Sequence, residues 1–133
     1  MSLEVRNNRM FIFSNPNPAK LIVGDCVIRG ISIVKDQSWL KTYDDVTSKG
    51  RRMFDMPSSN SVWNSYLLDS RFRKSALENT CPDCYRVIDF CNEHPYGEYL
   101  LATGTHVIAV IDGNYYDTWD SGDEVPLYFY ERS

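Results

Sequence analysis

Cys26 is the residue whose type and surroundings most favour covalent chemistry. It follows Gly24 and Asp25 and opens the mostly apolar stretch 26–34. Asp25 can serve as the N-cap of a helix that begins there, and a helix apolar on nearly every side is expected to run through the middle of a domain. The first free amides and the helix dipole favour thiolate over thiol, which predicts a nucleophile. The alternative is a buried structural cysteine, since free cysteine is among the most buried residue types.

A histidine and an acid that could serve this nucleophile lie towards the C-terminus. Asp112-Gly113 between two β-prone runs is a strong signal for a two-residue hairpin turn, which sets the register of the two strands. In that register His106 and Asp117 share a face as diagonal neighbours, at roughly 7–8 Å between their backbones. An acid that orients a histidine ring is what nucleophile activation requires, although a histidine alone on a strand is more often an ordinary residue. Asp120 would take the place of Asp117 if the loop were one residue longer.

A second group of candidate residues contains the other three cysteines. Cys81 and Cys84 are spaced like a redox pair, and with Cys91 and His94 they could supply four zinc ligands. If Cys84 and Cys91 lie on one continuous helix, they are about 10 Å apart along its axis, which is too far for one zinc ion. A redox pair should follow a strand in a βαβ setting, which is not indicated here. The alternative to both functions is a pair of ordinary thiols at the start of a helix.

The elements that must position these residues divide the chain into helices followed by strands. A short β-prone run at 9–13 and a proline-containing loop precede the Cys26 helix. A second helix is predicted from Asp36 or Ser38 to Gly50, a third from 57–60, and a fourth from Asp83 to about residue 93. The apolar residues expected to face inward on these three helices are Trp39, Leu40, Tyr43, Val46, Val62, Trp63, Tyr66, Leu67, Val87, Ile88 and Cys91. Residues 69–80 show no clear period.

The C-terminal part is predicted to be β-structure. Four short runs, at 98–103, 106–111, 114–119 and 127–131, are rich in β-branched and aromatic residues. Helices followed by strands indicate an α+β domain, in which an antiparallel meander packs one face on the N-terminal helices.

Composition limits the class of protein. A chain of 133 residues with 43% hydrophobic residues fits a single domain over residues 1–133. A net charge of −4 argues against nucleic-acid and anionic-membrane partners. No apolar run approaches the roughly 20 residues of a membrane helix, and residues 1–4 lack a secretory pattern, so we expect a cytoplasmic protein. Four cysteines are too few for a disulfide framework and are predicted to be reduced.

Several motifs together resemble the papain-like cysteine peptidase superfamily, in which a Cys at the start of a central helix precedes a His on one strand and an Asn or Asp on the next. They are Asn15-Pro16-Asn17-Pro18, Gly24-Asp25-Cys26-Val27-Ile28-Arg29, Asp89-Phe90-Cys91 before His94-Pro95, Gly104-Thr105-His106-Val107-Ile108-Ala109-Val110 and Tyr116-Asp117-Thr118-Trp119-Asp120-Ser121. More closely, residues 11–130 resemble small uncharacterised phage and gut-bacterial proteins of that type. Gly30 stands where such proteins are expected to have alanine, at a cost of roughly 1 kcal/mol to the helix.

The resemblance implies a role for each candidate residue. Cys26 is the nucleophile, His106 the general base and then acid, and Asp117 the acid that orients the ring. The oxyanion would be held by the Cys26 amide and a side chain of the preceding loop, Asn17 as first choice and Asn15 as second. For either asparagine taken singly, an ordinary loop residue is the more common alternative.

The predicted function is a cysteine peptidase or amidase with a papain-like core that acts through a thioester acyl-enzyme. One alternative is acyl transfer, as in transglutaminase-like relatives, if an amine rather than water resolves the thioester. The other is an inactive papain-like binding module, because the chain is small for a peptidase. We expect a peptide or protein substrate, no cofactor and no metal. The resemblance is compatible with a phage-encoded protein, while oligomeric state and substrate identity stay open.

Overall fold

A six-stranded sheet with helices packed on it forms an α+β fold, the predicted class. The computed structural model describes residues 10–132, so predictions for residues 1–4 and Arg9 lie outside it. The elements in chain order are β1 (Phe11–Phe13), α1 (Cys26–Lys35), α2 (Trp39–Met53), α3 (Asn60–Asp69), β2 (Phe72–Ala76), α4 (Val87–Glu93), β3 (Glu98–Ala102), β4 (Val107–Ile111), β5 (Asn114–Asp117) and β6 (Tyr128–Arg132).

The strands lie in the order β1-β5-β4-β3-β6-β2. β3, β4 and β5 form the predicted antiparallel meander. The prediction that the last strand continues this meander beside β5 is wrong, because β1 already pairs with β5, in parallel. β6 pairs instead with the free side of β3, antiparallel to it.

β2 lies within the segment 69–80, for which the sequence shows no period. It pairs with β6 at the edge of the sheet. Phe72 is its only buried residue, and the other four are exposed. An edge strand with so little buried surface carries no alternation of apolar and polar residues, which explains why it was not predicted.

The two faces of the sheet carry separate cores. One core joins α1, α2 and α3 to the sheet, through buried residues that include Ile31, Val46, Val62, Trp63, Leu67, Leu100, Ala109 and Tyr130. The other joins α4 to the opposite face, through Val87, Phe90, Cys91, Tyr99, Leu101, Ile108, Val110 and Tyr115. The prediction that the helices pack on one face is therefore wrong for α4. Both faces of β3 and β4 are covered, which is why these strands are almost wholly apolar.

α2 differs most from its predicted orientation. Leu40 and Tyr43 were expected to face inward, yet they are 57% and 44% exposed, and the buried residues of the helix are Thr42, Val46 and Gly50. Gly50 does not end the helix. A β-carbon on Gly50 would lie 2.7 Å from the Asp55 carbonyl oxygen, so glycine here lets the following segment fold back closely on the helix.

The limits of the other helices follow their caps. Ser38 caps α2 by accepting a hydrogen bond from the Lys41 amide, as predicted, whereas Asp36 ends α1. α3 buries its predicted inner residues. α4 begins at Val87 rather than at Asp83, because the Asp89 carboxylate accepts from the Arg86 amide and fixes the first turn there. None of the helices found between residues 10 and 132 combines the length and the apolar character needed to cross a membrane.

Candidate active site

Cys26 is the first residue of α1 and is half-buried. Asp25 occupies the predicted N-cap position, but its side chain makes no capping hydrogen bond, so this part of the prediction is wrong. Its carboxylate instead accepts from Arg29 Nη1 at 2.7 Å and from Trp39 Nε1 at 2.9 Å. The Asp25 carboxylate therefore binds side chains of α1 and α2 instead of capping α1. Cys26 lies at the N-terminus of α1, the positive end of the helix dipole.

His106 lies in the tight turn between β3 and β4. Its backbone amide donates to Thr103 Oγ1 at 3.0 Å, and its carbonyl accepts from the Thr103 amide at 2.8 Å. The imidazole ring packs beside Trp119, with 5.1 Å between ring centroids. Only 12% of the His106 side chain is exposed. The turn and the indole together leave the ring little freedom to rotate.

Asp117 is the last residue of β5 and faces His106. The turn residues Asp112 and Gly113 have φ of 50° and 78°, and Ile111 pairs with Asn114, which is the predicted register. Asp117 Oδ2 lies 2.6 Å from His106 Nε2. The carboxylate also accepts from Ser121 Oγ at 2.6 Å and from the Thr118 amide at 2.8 Å.

The other two aspartates of this region have different partners. Asp120 accepts hydrogen bonds from the Tyr115 hydroxyl and from the Gly122 amide. Asp112 accepts from the Gly97 amide at 2.9 Å. The structure therefore brings Asp117, and not Asp120, to His106.

Charge and hydrogen bonding perturb both candidate catalytic groups. Burial opposes ionisation of Cys26, but its hydrogen bond to His106, the charge of His106, the Val107 amide and the charge of Arg29 together lower the pKa of the thiol from 9.0. Burial likewise opposes protonation of His106, yet its contacts with Asp117 and Cys26 raise the pKa of the imidazole to about 9. These shifts act in the direction that favours a thiolate beside an imidazolium.

Arg29 is a further residue of the site, and it was not predicted to have a role. It is 6% exposed, and its Nη2 lies 3.5 Å from Asp117 Oδ1 while its Nη1 binds Asp25. An arginine inside a mostly apolar helix, four residues after an aspartate, was a signal for such a buried ion pair. Ser121 was also missed, because a serine in a loop carries no comparable signal.

The asparagines predicted as oxyanion donors lie buried in the loop before α1. Asn17 Nδ2 donates to Asp25 Oδ2 at 3.3 Å, and its Oδ1 accepts from the Ala19 amide. Asn15 Nδ2 donates to the Leu21 carbonyl at 3.2 Å. Both side chains therefore shape the loop that leads to Cys26, and Asn17 is joined to the site through Asp25.

Two adjoining cavities lie at the start of α1. One, of about 180 Å³, is lined by Cys26 and His106 together with Gly24, Val27, Ser58, Asn60, Trp63, Thr103, Gly104, Thr105, Val107 and Tyr128. The other, of about 170 Å³, shares Gly24, Val27 and Ser58 with the first and extends to Trp39 and Tyr43, whose rings stack at 5.2 Å. The thiol and the imidazole thus face a cleft with room beside it for a bulky side chain.

The second cysteine group has a different arrangement. Cys81 and Cys84 form a disulfide, so the prediction that all four cysteines are reduced is wrong for this pair. The chain turns between them instead of continuing a helix, which brings their Cα atoms to 4.1 Å. Cys84 therefore precedes α4, and the helical spacing used to argue against zinc does not apply. Among residues 10–132 no three His, Cys, Asp or Glu side chains are grouped so as to hold a metal ion.

Comparison with protein-family models, with curated proteins and with solved structures finds no match to this chain. The resemblance to papain-like peptidases therefore stays a hypothesis that rests on the residues of this chain and their geometry.

Proposed function

We propose that this protein is a cysteine peptidase or amidase with a papain-like arrangement of Cys26, His106 and Asp117. The observation that carries the proposal is the position of the His106 ring, which bonds to Asp117 through Nε2 at 2.6 Å and lines the same cavity as Cys26. With Nε2 held by Asp117, Nδ1 is the nitrogen left to face the thiol. The nucleophile Cys26, the base His106 and the orienting acid Asp117 then lie side by side in that order.

The chemistry follows from these contacts. The Cys26 thiolate attacks the carbonyl carbon of a peptide or amide, and the resulting tetrahedral intermediate collapses as the C–N bond breaks. The His106 imidazolium donates its proton to the departing amine, which leaves a thioester on Cys26. His106 then takes a proton from water, whose oxygen attacks the thioester, and the acid product leaves while the thiolate is restored.

The oxyanion of each intermediate lies next to the start of α1. The Cys26 backbone amide is the proposed first donor, because amides at a helix N-terminus have no partner within the helix. Asn17 is the proposed second donor, with Asn15 as its alternative. Besides the hydrogen that Asn17 Nδ2 donates to Asp25, the same nitrogen carries a second hydrogen.

The substrate is a peptide or protein whose scissile bond enters the cleft between α1 and the turn at 103–106. The apolar and aromatic lining of the adjoining cavity suits an apolar side chain next to that bond.

The proposal is tested by incubating the purified protein with a peptide library and labelling the new amino termini for mass spectrometry. We expect cleavage by the wild type and by Cys91→Ser, and none by Cys26→Ser. The rate should rise with pH as Cys26 ionises below pH 9 and should fall as His106 loses its proton near pH 9.

A second arm separates hydrolysis from acyl transfer and from binding alone. Addition of a primary amine during turnover should leave free acid as the main product if water resolves the thioester. Amide products in its place would assign acyl transfer. An unreactive Cys26 with no cleavage at any pH would overturn the enzymatic proposal and favour a binding module.

A further inference from the structure

A line of buried charges connects α1 to the end of β5. Asp25, Arg29 and Asp117 are 8%, 6% and 3% exposed. Arg29 Nη1 lies 2.7 Å from Asp25 Oδ1, and Arg29 Nη2 lies 3.5 Å from Asp117 Oδ1. Buried charges are costly unless paired, so each of these groups depends on the next.

Both ends of this line are held by other hydrogen bonds. Asp25 Oδ2 accepts from Trp39 Nε1 of α2 and from Asn17 Nδ2 of the preceding loop. These contacts fix the carboxylate that in turn holds the Arg29 guanidinium. Because Arg29 follows Cys26 by three residues on the same helix, α1 presents the candidate nucleophile and also reaches the candidate acid.

We propose that Arg29 is a positioning residue, which holds the Asp117 carboxylate against the His106 ring, and that Asp25 positions Arg29. The assignment to a catalytic machinery rests on the proposed function. The two oxygens of the Asp117 carboxylate have different partners. Oδ1 faces Arg29 and the Thr118 amide, while Oδ2 faces His106 and Ser121. Arg29 thereby selects the carboxylate orientation in which one oxygen is directed at the ring.

The ionisation of His106 reports this positioning. The groups that act on the pKa of His106 are Asp117 and Cys26, and those that act on the pKa of Cys26 are His106, the Val107 amide and Arg29. If Arg29 acted on the ring only through its charge, its removal would reduce repulsion of the imidazolium and leave the pKa of His106 unchanged or higher. If Arg29 holds Asp117 in place, its removal weakens the contact with Asp117 and lowers that pKa. The two roles therefore predict shifts in opposite directions.

The test is an imidazole NMR titration of His106, whose signals need to be separated only from those of His94, the other histidine. In Arg29→Met we expect the midpoint to fall by about one pH unit or more from its wild-type value. Arg29→Lys keeps the charge without the planar two-nitrogen fork and should give an intermediate value. An unchanged or higher midpoint in Arg29→Met would overturn the proposal.

Further variants separate positioning from loss of fold. Arg73→Met removes an arginine from an exposed ion pair with Glu131 and should leave the midpoint unchanged. If Arg29→Met does not fold, the paired change Asp25→Asn with Arg29→Gln removes both charges together and must still lower the midpoint. In an Asp117→Ala background, removal of Arg29 should produce no further fall. If removal of Arg29 lowered the His106 midpoint as much in the Asp117→Ala background as in the wild type, positioning through Asp117 would be overturned.

Turnover provides an independent readout. We expect Arg29→Met to lower kcat by about a hundredfold with little change in KM, as misplacement of a catalytic group does. If the wild type shows no turnover but the midpoint falls as expected, the hydrolase proposal fails and the positioning of His106 through Asp117 stands. If the wild type turns over and the midpoint does not fall, the positioning proposal alone is overturned.

Discussion

The molecule contains two helical cysteines with a histidine nearby, one on each face of the sheet, and their surroundings differ. Cys26 begins α1 and contacts His106, with Arg29 close enough to stabilise the thiolate. Cys91 lies within α4, is 2% exposed, and packs in an apolar core, where burial raises the pKa of its thiol to about 12. His94 stacks on Phe90 at 3.8 Å, and its Nδ1 bonds to the Phe90 carbonyl at 2.9 Å.

The difference shows what turns a cysteine and a histidine into a candidate pair. Proximity in sequence favours Cys91 and His94, which are three positions apart, whereas Cys26 and His106 are far apart in the chain. Yet His94 is held by aromatic packing and by its bond to the Phe90 carbonyl of α4, and Cys91 has only desolvation acting on its pKa. A helix N-terminus, an acid behind the histidine and a buried cation act together only at Cys26.

Replacement of each cysteine in turn should give the largest contrast. Cys26→Ser should reduce turnover by a factor on the order of 10⁶, the scale on which removal of a triad nucleophile acts. Cys91→Ser should change turnover by less than about tenfold, because Cys91 lies on the opposite face of the sheet. Initial rates on one cleaved peptide measure both. Equal losses in the two variants would remove the distinction between the two cysteines.

Alkylation of the native protein should show the same contrast without a substrate. At pH 7 a thiol with a pKa of about 12 is ionised in roughly one molecule in 10⁵, so Cys91 should stay unmodified while Cys26 reacts. We expect iodoacetamide to label Cys26 more than about 10³ times faster, as measured by peptide mapping. Without reductant Cys81 and Cys84 should also stay unmodified, because they form a disulfide. Labelling of Cys91 at a rate near that of Cys26 would contradict the assigned environments.

Asp117→Asn tests whether an acid behind the histidine makes the difference. Every partner that the Asp117 side chain faces can donate a hydrogen bond, namely His106 Nε2, Ser121 Oγ, the Thr118 amide and Arg29. An amide NH2 group at this position must meet one of these donors. We expect turnover to fall by about 10²–10⁴, with the fold retained by circular dichroism.

The matched control for this change is Asp120→Asn. Asp120 contacts Tyr115 and Gly122 and does not contact His106, so its replacement should affect turnover by less than about tenfold. A nearly silent Asp117→Asn beside a strongly impaired Asp120→Asn would reverse the roles of the two acids.

For stability, unlike turnover, we expect replacement of Cys91 to have a larger effect than replacement of Cys26. Both effects should be smaller than those on turnover. Cys91→Ser places a hydroxyl in an apolar core and should lower the free energy of unfolding by about 1–3 kcal/mol. Cys26→Ser affects a half-buried position at a polar site and should cost less than about 1 kcal/mol. Urea unfolding monitored by tryptophan fluorescence compares them. A greater loss for Cys26→Ser would mean that the site contributes more to folding than the α4 core does.

Local chemistry determined the features that the sequence could predict. The Asp112-Gly113 turn fixes which residues of β4 and β5 pair, so the contact between His106 and Asp117 was predictable from the chain alone. The apolar run after Asp25 likewise placed Cys26 at a helix N-terminus, and the period of α3 identified its buried face.

The order of the strands, the position of α4 and the contact of Asp25 with Trp39 depend on contacts between distant segments, and only the tertiary structure shows them. β1 occupies the edge of β5 while β6 pairs with β3, and α4 packs on the face of the sheet opposite the other three helices. Asp25 had the type and position of an N-cap, but Trp39 and Arg29 bind its carboxylate instead. Turn type, helix period and the pairing of Asp25 with Arg29 arise from neighbouring residues. Strand order and the contacts of Arg29 with Asp117 and of Trp39 with Asp25 arise between distant segments, which no short stretch of sequence encodes.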